Sequence, residues 1–246
     1  MTLSVAAIRP ANPERRFYQA MILAILACIA LGFSRSFFLR PLFPGVHAPT
    51  EVWFYVHGVI FTLWLALLFT QASLIGNNNV ALHQRLGVAA FGLVPLMIFM
   101  GLVGALIAAR RPGGFIDIPV PPLEFLVVPV ADMLWFGALA GLALSYRREP
   151  QVHKRLILLA SIALTEAGIA RWPFEPYVSS PPFAFWTKIL LLLPLVGWDI
   201  YSRKRLHPVT LWGGLFLISE GPVRESISHT TLWLAFAKWS TGLLGA

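Results

Sequence analysis

Charged residues are scarce in this chain of 246 residues. Asp, Glu, Lys and Arg together make up 12% of the sequence, about half of the share found in typical soluble domains. Apolar residues make up 57% of it, and several runs are longer than the roughly 18–20 apolar residues that cross a bilayer. Because a segment in hydrocarbon must satisfy its backbone hydrogen bonds internally, these runs predict helices. The sequence therefore predicts an all-α, polytopic transmembrane helix bundle whose partner is the lipid bilayer.

The sequence also lacks the residues of the commoner catalytic and metal sites. Cys28 is its single cysteine, so an intrachain disulfide is excluded, and one thiol by itself makes a poor metal site. The motifs GxSxG, HExxH, CxxC and the Walker phosphate-binding sequence are absent. We expect Cys28 to be a buried structural residue, and the sequence leaves open whether the protein is an enzyme.

The net charge of +8 does not indicate a nucleic-acid partner. The basic clusters RR, HKR and RKR, at residues 147–148, 153–155 and 203–205, lie where apolar segments end or begin. This is the distribution that orients membrane helices, with basic residues on the cytoplasmic side. We therefore predict a bacterial inner-membrane protein with a cytoplasmic N-terminus.

Composition divides the chain into three regions. Residues 1–16 form a short basic lead, residues 17–228 form the bundle, and residues 229–246 form an amphipathic tail that extends the last helix or lies at the membrane surface. Stretches rich in proline and glycine separate the apolar runs, since neither residue favours a continuing helix. About seven spans are predicted, at residues 17–39, 51–75, 82–109, 123–146, 153–172, 183–201 and 207–226.

Polar residues inside these spans are the first candidates for a functional site. His57, Trp64 and Gln71 are spaced by seven in the second span, which places them on nearly one helix face. An ionisable group within a span is costly and by default suggests function. We expect a buried polar cluster towards the external side, which pins helices together or forms a ligand site or a pathway for protons or solutes. Its candidate members are His57, Gln71, Asp132, Glu166, Arg171, Glu220 and Arg224, with Lys188 as a further ionisable residue in the sixth span.

Histidines at the starts of helices are the second set of candidates. His83, His153 and His207 each stand in the first turn of a predicted span, and the first two share the sequence His-x-Arg-Leu. The three helical hairpins of the bundle therefore resemble copies of one plan, as in a degenerate repeat. A simple interfacial role for these histidines is the alternative.

His83 and His153 are also suited to bind haem b. The partial positive charge at a helix N-terminus disfavours imidazolium, and neutral imidazole is the form that ligates haem iron. The two residues are predicted at similar depth on different helices, as axial ligands require. Arg85 and Arg155 are close enough in sequence to meet the haem propionates.

The phrases ALHQRLG and VHKRLILLA, at residues 81–87 and 152–160, carry a resemblance to a known family. Together with the stripe of His57, Trp64 and Gln71, and with RWP at 171–173, they are similar to an uncharacterised family of bacterial multi-pass membrane proteins. The resemblance covers about half of the chain. It implies the architecture of a multi-pass membrane protein and implies no activity.

Three functional hypotheses follow from these residues. The first is a b-type haem protein of membrane electron transfer or redox sensing, with His83 and His153 as axial ligands. The second is a proton-coupled transporter of a small solute that uses the intramembrane polar residues. The third is a non-catalytic subunit or assembly factor, bound to another membrane protein or to copies of itself.

Overall fold

In the computed structural model, which describes residues 12–174 and 181–244, every regular element is helical. The remaining parts of the basic lead, of the loop after residue 174 and of the C-terminal tail lie outside the described residues. A π-helical turn at Ser34–Phe38 and a 3₁₀ turn at Arg40–Leu42 follow the first helix. The α-helices are α1 Pro13–Phe33, α2 Val52–Gly76, α3 Val80–Gly87, α4 Ala89–Ala109, α5 Pro122–Phe125, α6 Val127–Ser145, α7 Pro150–Ala163, α8 Thr165–Ile169, α9 Pro181–Leu190, α10 Leu193–Arg203, α11 Pro208–Ser228 and α12 Thr231–Gly242.

Among the described residues, five helical segments are long and apolar enough to cross a membrane, fewer than the seven spans predicted. The predicted fifth and seventh spans, which correspond to α7–α8 and to α11, do not qualify. The charged residues Lys154, Arg155 and Glu166 interrupt the first of them, and Glu220, Arg224 and Glu225 interrupt the second. The five qualifying segments are Pro13–Phe38, Val52–Gly76, Ala89–Ala109, Pro122–Ser145 and Pro182–Arg203.

Prolines divide two of the segments that the sequence predicts as continuous helices. Pro194 has no N–H to donate to the carbonyl of Leu190, and the helix is interrupted between α9 and α10. Pro129 likewise leaves the carbonyl of Phe125 without its helical donor, and α5 is separated from α6 at Leu126. The third predicted span is also divided, because its first two turns form the separate helix α3.

Contacts at the helix ends show that successive segments run in opposite directions. At one end, Lys154 Nζ lies 2.5 Å from Glu14 Oε1 and the rings of His83 and His153 are neighbours; we call this the histidine end. At the opposite end, Arg111 Nε donates to Glu51 Oε1 at 2.7 Å. This bond lowers the pKa of Glu51, which lies just outside the apolar helix α2.

The core of the bundle lies around α6. Phe136, Leu139 and Ala140 of α6 are buried and α6 packs most closely on α7. Trp64 of α2 meets the ring of Phe136 edge-on, with centroids 5.3 Å apart, so part of the predicted polar stripe belongs to the apolar core. Cys28 is buried and free, as expected.

The C-terminal tail forms the separate helix α12. Thr230 caps its first turn by accepting a hydrogen bond from the backbone N–H of Trp233 at 3.2 Å. The indole of Trp233 donates to the carbonyl of Leu123 at 2.9 Å, and Trp233 and Ala237 pack with residues of α4 and α6. The tail is therefore docked on the bundle at the end opposite the histidine end.

A contact between two glycines brings α1 and α8 together. A Cβ atom added at Gly32 would lie 1.9 Å from the carbonyl oxygen of Gly168, which leaves no room for any side chain. The backbones of the two helices therefore approach more closely than other residues would allow, as is common where membrane helices pack through small residues.

We predict that Gly32→Ala destabilises the protein, because the added methyl group must push α1 away from α8. Overpacking of this kind costs about 1–3 kcal/mol or more. The free energy of unfolding in detergent would measure the effect. Gly141→Ala is the matched control, since nothing lies within 4 Å of a Cβ at Gly141 of α6. Equal stability of the two variants would contradict the contact.

Candidate functional site

Five charged side chains from four helices meet inside the bundle. They are Asp132 of α6, Glu166 of α8, Lys188 of α9, and Glu220 and Arg224 of α11, and we call them the buried charge cluster. Glu220 and Arg224 are one helical turn apart, so they project from the same face of α11. The breaks between α7 and α8 and between α9 and α10 leave Glu166 and Lys188 on short helical segments that face this point.

Each cation of the cluster bridges more than one carboxylate. Lys188 Nζ lies 2.5 Å from Glu166 Oε2 and 2.6 Å from Glu220 Oε2. Arg224 lies 2.8 Å from Glu166 Oε1 and 2.5 Å from Asp132 Oδ1, and its Nη2 also contacts Glu220 Oε1. The two cations thus join α6, α8, α9 and α11 through charge-assisted hydrogen bonds.

Two side chains of the cluster are fully buried and the other three are slightly exposed. The side chains of Lys188 and Glu220 are 0% exposed, whereas those of Asp132, Glu166 and Arg224 are 12%, 11% and 8% exposed. Charges removed from water in this way are stable only when every one of them has an oppositely charged partner. All five residues meet this condition.

Other members of the predicted polar cluster lie elsewhere. His57 stacks on Phe61 of its own helix, with ring centroids 4.0 Å apart. Arg171 is exposed beyond the end of α8, where its guanidinium lies over the ring of Phe33. Gln71 is half-buried and faces α3, because a Cβ at Gly87 would lie 3.3 Å from its Nε2. The structure therefore brings together four of the predicted residues and Lys188 in one cluster. It places His57, Arg171 and Gln71 elsewhere.

The two histidines that share His-x-Arg-Leu are neighbours at the histidine end. The ring centroids of His83 and His153 are 6.5 Å apart and the ring planes are nearly perpendicular, at 84°. His153 Nδ1 lies 2.8 Å from the carbonyl oxygen of Ala143, so Nδ1 carries a hydrogen, and in the neutral ring Nε2 is the lone-pair donor. Because the carbonyl also fixes the ring, His153 is already oriented as metal-bound histidines are.

His83 lies in the short helix α3, outside the apolar span of α4. Burial lowers the pKa of its imidazole, the backbone of Gln71 opposes this shift, and the neighbouring His153 adds to it. A lowered pKa favours the neutral ring, which is the form that binds metals. Arg85 is exposed on the same helix.

The third histidine has a different role. The side chain of His207 caps α11 by accepting a hydrogen bond from the backbone N–H of Val209 at 3.1 Å. His83 and His153, in contrast, lie inside the first turns of their helices, after Asn79 and Glu149. His83 and His153 therefore occupy matching positions in their helices, and His207 does not share this position.

Arg155 belongs to a second buried contact, at the histidine end. Its Nη2 donates to Asp199 Oδ1 and its Nη1 donates to Gln151 Oε1 at 2.7 Å. The other oxygen of Asp199 accepts from Thr210 Oγ1 at 2.5 Å and from the backbone N–H of His207 at 3.1 Å. Arg155 is fully buried and is engaged with Asp199, so it is not free to bind a haem propionate.

Asp199 is a residue that the sequence interpretation missed. It stands four residues before the basic cluster RKR, and its charge is easily taken for part of an interfacial segment. The sequence nevertheless marks Asp199 as a candidate, because it is an ionisable residue in an apolar run. Its helix is also followed by His207 and Thr210, which can donate hydrogen bonds.

Comparison of the chain with protein-family models, with curated proteins and with solved structures found no match. The chemistry that the two sites can support follows from their geometry. The buried charge cluster can hold helices together and exchange protons, and the two histidines can hold a transition metal or haem iron.

We predict that Lys188→Met destabilises the protein strongly, because three carboxylates would then share one cation. Removing one partner of a buried ion pair costs about 3–5 kcal/mol. Unfolding in a denaturing detergent measures the change. The matched control is Lys238→Met, which removes an exposed lysine of α12 and should have little effect. A Lys188→Met variant as stable as the control would show that the ion pairs do not contribute.

Proposed function

We propose that this is a multi-pass inner-membrane protein in which α7–α8 and α11 also cross the bilayer, giving seven spans. Both segments run between the same two ends as the five apolar segments. Four of their charged residues, Arg155, Glu166, Glu220 and Arg224, are buried in protein rather than facing lipid. The clusters RR, HKR and RKR lie at the histidine end, which supports a cytoplasmic location for this end and for the N-terminus. The shared His-x-Arg-Leu motifs also support placing the chain with the bacterial membrane proteins that it resembles.

We propose further that the protein binds haem b between His83 and His153 and serves in electron transfer or redox sensing. The observation that carries this proposal is the spacing of the two rings. His83 and His153 would hold the iron through one ring nitrogen each, which requires that the two rings be neighbours. The centroids of His83 and His153 are 6.5 Å apart.

The chain's own residues would hold and orient the group. The carbonyl of Ala143 accepts the Nδ1 hydrogen of His153, and burial favours the neutral form of His83, so that in the neutral rings one nitrogen of each would offer a lone pair. Arg85 is exposed at the same end and suits a propionate. When bound, the haem supplies one-electron chemistry at the membrane surface.

A difference absorption spectrum of the purified protein, reduced minus oxidised, tests the haem proposal. We expect a Soret band and sharp reduced-state bands at near-stoichiometric haem. His83→Ala and His153→Ala should each remove these bands, because either change removes an axial ligand. His57→Ala should keep them, because His57 stacks on Phe61 away from the histidine end.

A well-folded wild-type protein that stays colourless when haem is plentiful would contradict this proposal. Loss of the bands in His57→Ala alone would contradict the choice of ligands. Size-exclusion chromatography of each variant separates loss of haem from loss of fold.

The buried charge cluster favours a second candidate, a proton-coupled transporter. Three carboxylates share two cations, and Asp132, Glu166 and Arg224 are partly reachable from outside the cluster. Such a function predicts proton entry into proteoliposomes that contain a pH-sensitive dye when a membrane potential is imposed. We expect Asp132→Asn and Arg224→Gln to abolish that entry, and Glu225→Gln, at an exposed position, to preserve it. Proton entry equal to that of empty liposomes would rule this candidate out for the protein alone.

A further inference from the structure

The charges of the buried charge cluster do not balance. Asp132, Glu166 and Glu220 contribute three negative charges when ionised, and Lys188 and Arg224 contribute two positive charges. A net negative charge would then remain among side chains that are at most 12% exposed. An uncompensated charge is costly inside a protein and more costly inside a membrane.

The hydrogen bonds show which carboxylate has spare capacity. Both oxygens of Glu166 are engaged, one with Lys188 and one with Arg224. Both oxygens of Glu220 are engaged with the same two cations. Asp132 contacts Arg224 through Oδ1, and its Oδ2 makes no hydrogen bond with any residue that the structure describes.

We propose that the buried charge cluster binds one proton from water, held on Oδ2 of Asp132, so that its net charge is zero. The step is a protonation: a solvent proton forms an O–H bond with Oδ2, and no other bond changes. Asp132 remains an acceptor for Arg224 through Oδ1. This proposal depends neither on bound haem nor on transport.

A proton fits this position better than a metal cation. Oxygen atoms of the three carboxylates lie within 4.8 Å of one another. Five of their six oxygens already contact Lys188 or Arg224, and the sixth is Oδ2 of Asp132. A metal cation such as calcium needs several free oxygen ligands, whereas a proton needs one, and Asp132 Oδ2 has no hydrogen-bond partner among the described residues.

No other charge among the described residues neutralises the cluster. The helix α4, which packs on α6, contains no charged residue. Glu124 and His229, at the end opposite the histidine end, pair with each other at 3.0 Å. Arg155 of α7 is engaged with Asp199.

The charge balance has a mechanical consequence. If Arg224 moves away from Asp132, or if any of the five residues is replaced by a neutral one, the number of protons that the cluster needs changes. Proton binding is therefore linked to the packing of α6, α8, α9 and α11.

Isotope-edited infrared spectroscopy of the purified protein at neutral pH tests the proposal. A protonated carboxyl group has a C=O stretch at higher frequency than a carboxylate. We expect one such band that shifts when aspartate is labelled with ¹³C at its side-chain carboxyl and does not shift when glutamate is labelled. The chain has only three aspartates, Asp117, Asp132 and Asp199, so the assignment is direct.

Asp132→Asn should remove the band and keep the fold, because asparagine is a neutral analogue of protonated aspartate. Asp117→Asn is the matched control, since Asp117 is 72% exposed, and it should keep the band. Glu220→Gln should also remove the band, although Asp132 is still present. The two remaining carboxylates then match the charge of the two cations, so the net charge is zero without a proton.

Four results would overturn the proposal. These are the absence of an aspartic acid band, a band that shifts with labelled glutamate, a band that survives in Asp132→Asn, and a band that survives in Glu220→Gln. If Asp132→Asn fails to fold, the labelled wild-type protein and Glu220→Gln carry the test. A band that appears only when sodium is replaced by choline would instead assign the site to sodium.

Discussion

A guanidinium group inside an apolar bundle is stable only where carboxylates surround it, and Arg224 meets this condition with one carboxylate from each of α6, α8 and α11. Lys188 adds α9 through two of the same carboxylates. The apolar contacts between these helices have no preferred direction, so they leave the rotation of each helix loosely defined. The ion pairs remove this freedom, because each charged side chain must point at one common position.

The apolar runs were sufficient to predict an all-α membrane protein, because helix length and hydrophobicity are local properties of the sequence. The contact between Glu220 and Arg224 also follows from a local property, because residues four apart lie one helical turn apart on the same helix face. The breaks at Leu126 and Leu191–Leu192 were missed, although Pro129 and Pro194 mark them. The partners of Lys188 and Asp199 were missed because they lie on other helices, and which faces meet is decided by the packing of the whole bundle.

The two histidines and the buried charge cluster lie at different places in the bundle, but both depend on the position of the segment formed by α7 and α8. Arg155 is two residues from His153, and its contacts with Gln151 and Asp199 fix the first turn of α7. The carbonyl of Ala143 then fixes the ring of His153 itself. Further along the same segment, Gly168 allows α1 to pack tightly beside Glu166. The pairing of Arg155 with Asp199 thus supports the geometry that the haem proposal requires.

The order of residues in the buried charge cluster also bears on how the protein is made. A chain enters the membrane from its N-terminus during synthesis, so Asp132 and Glu166 are made before Lys188 and Arg224 exist. When α6 and α8 first enter the bilayer, Asp132 and Glu166 therefore have neither of the cations with which they pair in the finished protein. Completion of α11 supplies the second cation, and only then can the full set of ion pairs join α6, α8, α9 and α11. Until Arg224 is made, Lys188 is the single cation of the cluster, so a chain that stops before Arg224 keeps a surplus of negative charge there.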